Sequence, residues 1–366
     1  MKQAVLIPFI LAGLVSGWLT TACAPDTLDS EYQSNYPLAE EEGLNGKALE
    51  WLVEDIEEGD YGEVRSLVVM RNDRVVLEEY FQGYEQDDLH SLYSITKSVL
   101  SALFGIAVEQ GYISSLDEKI WGYFDEYEPI PDTEVWKASI TIRHLLSMSA
   151  GLDWNELEVP YSDPSNIFEL WDQAEDEIQF VLDRPLVDQP GTVVNYNSGL
   201  SQLLSIILTK NTGQSASDFA AENLFNHLGI EDWIWSSLND SVSNGGWGLQ
   251  LQPVDLAKFG QLYLQQGRWE GVQVVPEDWV ATSTDSLGVM SIWTNYGYQW
   301  WRYGSRMVEA GMLDSVGIYF GLGYSGQYLW VIPYYNMVAA VTAANGDNPL
   351  LNEVILWDYL LRMIEE

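Results

Sequence analysis

The chain has 366 residues, 47% of them apolar, which is enough to bury a large hydrophobic core. Its 55 acidic and 16 basic residues give a formal net charge of -39, which argues against nucleic-acid binding or docking on anionic lipid. We interpret the acidity as a solvated acidic shell. The 16 tryptophans and 21 tyrosines indicate an aromatic-rich core or cleft.

The first 22 residues have the composition of a signal peptide. Lys2 supplies a short positive region, and residues 4–18 form an apolar stretch too short to span a bilayer comfortably. Cys23, the only cysteine, resembles the lipid acceptor of bacterial lipoproteins, although Thr20 stands where a leucine is usual. We expect an exported periplasmic or cell-surface lipoprotein that touches the membrane only through Cys23. The alternative is ordinary export with cleavage nearby.

The remaining chain divides into a tether and one domain. Residues 23–44 are polar and acidic, which is typical of a tether. Within the domain, residues 45–366, the first predicted elements are a helix over 44–56, a hairpin of strands 66–70 and 75–81, and a helix that ends near Gly111.

Residues from 112 to about 235 favour helices and loops, with helices predicted at 141–148, 167–182, 198–208 and 216–228. A helix at 253–266 is followed by strands at 296–301, 307–312, 319–323, 328–333 and 337–343 and by a closing helix at 351–364. Distant β segments can pair in one antiparallel sheet. We therefore predict an α+β fold in which residues 45–111 and about 236–366 form the α/β part, and about 112–235 form a helical insertion.

The stretch 91–98 contains a Ser-x-x-Lys pair, Ser94 and Lys97, at the start of an apolar helical run. Residues i and i+3 share a helix face, so the hydroxyl and the amine can meet. A lysine among apolar neighbours has a lowered pKa and can accept the serine proton. The helix N-terminus adds N–H groups where an oxyanion would form. An isolated pair of this kind is more often a solvated lysine near a serine, so the rest of the chain must support it.

Two later segments carry compatible chemistry. Tyr196, two residues before Ser198, can act as a general base if an adjacent ammonium lowers its pKa, although a lone tyrosine is more often structural. The glycines of 323–327 allow close backbone approach. The N–H of Gln327 is our candidate for completing an oxyanion hole with the N–H of Ser94.

The order of these motifs resembles that of the serine β-lactamase-related family. The motifs are Ser94-x-x-Lys97, then Tyr196-x-Ser198, then the strand entry near Tyr324. That family spans class C β-lactamases, DD-peptidases, esterases and 6-aminohexanoate-dimer hydrolases. The stretches 94–105, 142–152, 245–249 and 255–260 are similar to it as well, and 151–156 looks most like the esterase and aminohexanoate-hydrolase branch. The resemblance covers roughly residue 45 to the C-terminus. It implies a β-lactamase/transpeptidase-like fold, an antiparallel sheet flanked by helices with an inserted mainly helical region.

The resemblance also implies roles for individual residues. Ser94 would be the nucleophile, acylated during turnover. Lys97 would be its proton acceptor or the electrostatic partner of Tyr196, which would serve as general base and acid. The N–H groups of Ser94 and Gln327 would bind the oxyanion. The other residues expected at the oxyanion and substrate-binding segments are Ser198, Tyr324, Ser325 and Gly326.

Two departures from the family pattern bear on the substrate. Ser198 replaces the asparagine of the lactamase branch, and Tyr324-Ser325-Gly326 replaces the Lys-Thr-Gly of lactamases and peptidases and the His-x-Gly of many esterases. A tyrosine cannot pair with a substrate carboxylate as a cation. We therefore expect a serine hydrolase of carboxylesterase or amidase type that cleaves small neutral esters or amides. A DD-peptidase or weak β-lactamase, and a non-catalytic relative that binds a peptide or cell-wall fragment, remain as alternatives.

No other reactive set competes with these motifs. The three histidines are scattered, no Gly-x-Ser-x-Gly elbow is present, and one cysteine leaves no usual metal-ligand spacing. We expect no metal and no cofactor, and a small molecule as the only partner. The sequence makes no prediction of oligomeric state.

Overall fold

An antiparallel sheet of eight described strands organises the computed structural model. The structure describes residues 34–127, 135–239, 241–304 and 317–365. The signal peptide, Cys23 and the strand predicted at 307–312 lie outside these residues, so those predictions stay predictions. No helix in the described ranges is long and apolar enough to cross a membrane.

The described strands are β1 (Val64–Arg71), β2 (Arg74–Tyr80), β3 (His90–Ser91), β4 (Trp233–Trp235), β5 (Ser237–Asn239), β6 (Val242–Ser243), β7 (Leu249–Leu251), β8 (Arg268–Trp269), β9 (Val272–Gln273), β10 (Gly288–Val289), β11 (Thr294–Tyr296), β12 (Trp301–Tyr303), β13 (Tyr319–Gly323), β14 (Gln327–Ile332) and β15 (Met337–Ala343). The described α-helices are α1 (Pro37–Glu41), α2 (Gly46–Glu58), α3 (Thr96–Glu109), α4 (Ile142–Leu146), α5 (Ile167–Asp172), α6 (Glu177–Leu182), α7 (Ser198–Thr212), α8 (Ala216–Ala220), α9 (Asn226–Leu228), α10 (Pro253–Leu264), α11 (Glu277–Ser283) and α12 (Glu353–Ile355).

The N-terminal hairpin and the C-terminal strands form one sheet, as predicted, with its strands in the order β10-β11-β12-β13-β14-β15-β1-β2. β1 pairs with β2 on one side and with β15 on the other, although more than 260 residues separate β1 from β15 in the sequence. Every residue of β14 and β15 is buried, as expected for strands covered on both faces. α10 packs closely on these two strands at Gly260, where a Cβ would lie 2.6 Å from Val338 and 2.7 Å from Leu329.

Three predicted elements differ in the structure. The helix expected over 167–182 is two helices, because Asp176 accepts hydrogen bonds from the N–H groups of Ile178 and Gln179 and starts α6 afresh. The strand expected over 296–301 is a turn between β11 and β12, with Gln299 in the left-handed region at φ 63°. The closing helix breaks into a 3-10 turn at Pro349–Asn352, α12 and a π-helical turn at Leu356–Leu360.

The fold also begins before the predicted boundary at residue 45. α1 lies within the expected tether, and Ala39 and Leu44 are fully buried. Leu44 forms a β-bridge with Ile364, so the two ends of the described chain meet. The end of the predicted tether is therefore part of the packed domain.

The helical insertion meets the sheet region close to Ser94. α7 and α4 of the insertion pack on each other, and α7 also contacts α3. β7 pairs with both β3 and β4, so a small sheet joins the segment before Ser94 to the end of the insertion. This junction positions the site.

Candidate active site

Ser94 lies in a tight 3-10 turn, Tyr93–Ile95, that runs directly into α3. Tyr93 has a φ of 46°, a left-handed conformation that costs free energy for a non-glycine residue and is held by its surroundings. Gly323 at the end of β13 approaches this turn, and a Cβ there would lie 2.4 Å from the carbonyl oxygen of Leu92. Only glycine lets the strand end come this close to the serine.

Lys97 lies one turn after Ser94 and is almost completely buried, with 1% of its surface exposed. Its Nζ donates hydrogen bonds to Oγ of Ser94 at 2.9 Å and to the carbonyl oxygen of Gly246 at 2.7 Å. Burial lowers the pKa of Lys97 to about 8, and the negative charge of Glu156 opposes the shift. The amine can therefore give up its proton near neutral pH and accept one from the serine hydroxyl.

Tyr196 reaches the same point from the N-terminus of α7. Its ring centroid is 5.0 Å from Nζ of Lys97, and its ring stacks on Trp301 at 5.5 Å. Burial and the charge of Glu156 raise the pKa of Tyr196 well above its ordinary value, more than hydrogen bonds with the hydroxyls of Ser94 and Ser198 lower it. Tyr196 is thus a protonated phenol beside the serine, placed to donate a proton.

A buried carboxylate, Glu156, lies next to Lys97 and Tyr196, and the sequence did not indicate it. Glu156, with 1% of its surface exposed, receives hydrogen bonds on Oε2 from the backbone N–H of Ser198 at 2.8 Å and the indole of Trp154 at 2.7 Å. Its Oε1 receives the hydroxyls of Ser198 at 2.5 Å and Tyr161 at 2.8 Å. Four donors compensate the burial of the charge. Glu156 belongs to the 151–156 stretch that resembled the family, but nothing in the sequence indicates that it is buried.

In the third predicted segment, residues 323–327, some residues face the site and others pack away from it. Tyr324 faces the site, with its ring edge-on to Tyr93 at 5.4 Å and to Tyr161 at 5.3 Å. Ser325 and Gly326 point towards the C-terminal segment: Oγ of Ser325 accepts the N–H of Gly346, and the carbonyl of Gly326 accepts the side-chain amide of Asn352.

The side chain of Gln327 exchanges hydrogen bonds with the backbone of Ala343 and also donates to the carbonyl of Tyr324. Gln327 is buried behind the strand end and does not line the cavity beside Ser94, whereas Gly323 and Tyr324 do. The role of its backbone N–H in an oxyanion hole stays a prediction.

A cavity of about 330 Å³ opens beside Ser94. Its walls combine aliphatic and aromatic side chains, and the aromatic lining consists of Tyr161, Tyr196, Trp301, Phe320, Tyr324 and Tyr328. Three carboxyl groups, those of Glu158, Asp347 and Glu353, also line it, whereas no lysine or arginine of the described chain does. In the described ranges, no group of three or more His, Cys, Asp and Glu side chains is arranged to hold a metal ion.

Comparison with known proteins identifies the family of this chain. A family model described as Beta-lactamase matches residues 61–361. The 6-aminohexanoate-dimer hydrolase of Paenarthrobacter ureafaciens is 25% identical over 293 residues, which cover 73% of this chain and 69% of that protein.

Solved structures show the same fold at low sequence identity. The octameric penicillin-binding protein homologue from Pyrococcus abyssi is 20% identical, with a TM-score of 0.64 over 85% of this chain and 77% of that one. EstCE1, described as a hydrolase with promiscuous acyltransferase activity, is 15% identical, with a TM-score of 0.68 over 86% and 97% of the two chains. These matches confirm the predicted β-lactamase/transpeptidase-like α+β fold.

Proposed function

The chain belongs to the Beta-lactamase family of serine hydrolases, and we propose that it cleaves small esters or amides through an acyl-enzyme on Ser94. The observation that carries the proposal is the hydrogen bond, 2.9 Å long, from the buried amine of Lys97 to the hydroxyl of Ser94, made by an amine whose pKa is about 8. Burying an ammonium group costs free energy, so a lysine without a function would be expected at the protein surface and not against a serine hydroxyl.

The chemistry follows from the positions of three side chains. Oγ of Ser94 attacks the substrate carbonyl carbon while its proton passes to the neutral amine of Lys97. The C–O or C–N bond then breaks, and Tyr196, as general acid, protonates the leaving oxygen or nitrogen and is reprotonated from Lys97. Water attacks the acyl-enzyme with the same groups removing its proton, which releases a carboxylic acid and restores the serine hydroxyl.

The cavity supports a neutral or cationic substrate over an anionic one. Its described lining offers carboxyl groups and no basic side chain, so a substrate carboxylate would meet repulsion and no cation to pair with. β-Lactams and D-Ala-D-Ala peptides both carry such a carboxylate. We therefore place esterase or amidase activity ahead of the β-lactamase and DD-peptidase alternatives.

The test is hydrolysis of p-nitrophenyl butyrate by the purified protein, with a chromogenic cephalosporin assayed in parallel. We expect Ser94→Ala to lower kcat/KM for the ester by a factor of about 10³ or more. Ser286→Ala, at an exposed serine outside the cavity, is the matched control and should retain full activity. Mass spectrometry should find the butyryl group on the peptide that contains Ser94.

Three results would contradict the proposal. Full ester activity in Ser94→Ala would remove the nucleophile from its role. Cephalosporin turnover that depends on Ser94 and exceeds ester turnover would support the lactamase alternative. Silence on esters and cephalosporins alike, by a protein that circular dichroism shows to be folded, would support the non-catalytic relative.

A further inference from the structure

The cavity beside Ser94 contains a carboxyl group that the proposed mechanism does not use. Glu353 of α12 lines the cavity with only 7% of its surface exposed. Burial raises the pKa of its carboxyl group, and the polar groups that counter the rise are Tyr303 and Trp357. No ion pair joins Glu353 to a lysine or arginine of the described chain. A carboxyl buried without a cation is costly unless a partner arrives with the ligand.

Aromatic rings line the same cavity as this carboxyl group. Trp301, Phe320 and Tyr328 line it together with Glu353, and the ring centroids of Phe320 and Tyr328 are 6.2 Å apart. Aromatic faces attract cations through the ring quadrupole, most strongly where water is excluded. A set of aromatic faces with a carboxyl group is a recurring receptor for alkylammonium groups.

The more exposed part of the cavity lining carries negatively charged side chains. Glu158 and Asp347 are exposed carboxylates on the lining, and Asp347 accepts the N–H of Ser162 and lies in hydrogen-bonding reach of Tyr324. The described lining therefore carries carboxyl groups in both its exposed part and its buried part. A cationic substrate would be favoured along this path, and an anionic one repelled.

From these observations we propose that the substrate carries an alkylammonium group, which binds between the aromatic walls and Glu353 while the ester or amide carbonyl lies at Ser94. The proposal rests on the function proposed above and specifies its substrate class. The carbonyl and the cation are then recognised at two separate parts of one cavity.

The experiment compares cationic and neutral substrates of the same shape. One pair places the cation on the acyl side, p-nitrophenyl 5-(trimethylammonio)pentanoate against p-nitrophenyl 6,6-dimethylheptanoate. The other places it on the leaving group, butyrylcholine against 3,3-dimethylbutyl butyrate. Assays run in about 0.5 M NaCl, where the screening length is about 4 Å, so that attraction to the acidic surface at large is suppressed.

We expect the cationic member of at least one pair to have a kcat/KM about tenfold higher or more, as a desolvated cation–π site implies. Glu353→Gln should reduce that ratio by a factor of about 5 or more. Glu277→Gln removes the same charge at an exposed site outside the cavity, and should leave the ratio unchanged.

A binding measurement keeps the proposal testable without turnover. Calorimetric titration with butyltrimethylammonium should show binding to the wild type and to Ser94→Ala, and weaker binding to Glu353→Gln. Hydrolysis of the neutral esters with no preference for either cation would overturn this proposal and leave the proposed function standing. If the wild type binds butyltrimethylammonium but hydrolyses none of the esters, the proposed function is overturned and the ammonium site is retained. Absence of both ammonium binding and cation preference in the wild type, which needs no variant to fold, would end the proposal.

Discussion

Replacing Glu156 by glutamine separates its charge from its hydrogen bonds. Both donors on Oε2, the backbone N–H of Ser198 and the indole of Trp154, cannot become acceptors. Both partners of Oε1, the hydroxyls of Ser198 and Tyr161, can rotate and accept. A glutamine with its oxygen at the Oε2 position and its amide at the Oε1 position therefore keeps all four hydrogen bonds and loses only the negative charge.

The structure sets the size of two effects. Because the four contacts survive, Glu156→Gln should lower the free energy of unfolding by only about 1 kcal/mol, whereas Glu156→Ala leaves buried donors unsatisfied and should lower it by about 3–5 kcal/mol. The charge of Glu156 raises the pKa of Lys97 against the effect of burial. Its removal should therefore lower that pKa further below about 8, by about one unit.

The assay is kcat/KM for p-nitrophenyl butyrate from pH 5 to 10. If neutral Lys97 is the proton acceptor, the wild-type rate rises with pH and levels off above about 8. In Glu156→Gln the same rise should occur at lower pH. A rise that stays in place, or moves to higher pH, would refute the electrostatic coupling of Glu156 to Lys97. A wild-type rise centred far above pH 8 would instead assign the proton acceptor role to Tyr196.

The other two predictions concern the cost of burying Lys97 and the approach of β13 to the nucleophile. Lys97→Met should abolish ester hydrolysis. It should also raise the free energy of unfolding, measured in urea, by about 1–2 kcal/mol, since it removes a buried charge. A destabilised variant would show that the lysine is structural. Gly323→Ala should lower activity by a factor of about 10² or more, because its Cβ would lie 2.4 Å from the Leu92 carbonyl, just before the nucleophile. Gly122→Ala, with no atom within 4 Å of its Cβ, is the control, and equal activity of the two variants would contradict this account.

Much of the site was predictable because its signals are local. Ser94 and Lys97 are three residues apart on one helix, and their hydrogen bond follows from that spacing. The strands predicted for the N-terminal hairpin and for 337–343 are confirmed by the structure. The order of the three motifs then predicted the family, because several motifs in sequence are far more specific than one.

Tertiary packing decided which other groups join them. The Gly246 carbonyl that binds Lys97 lies 149 positions away in the sequence, and the contact of Glu156 with Ser198 spans 42 positions. Glu156 and Glu353 are two of 55 acidic residues, and no local pattern separates them from the acidic shell. Burial is a property of surfaces brought together from distant segments, and it alone distinguishes these two carboxyl groups from the acidic shell. The sequence by itself thus indicated the pairing of Ser94 with Lys97, whereas the folded structure determined the surroundings that shift the lysine pKa and the carboxyl groups that line the cavity.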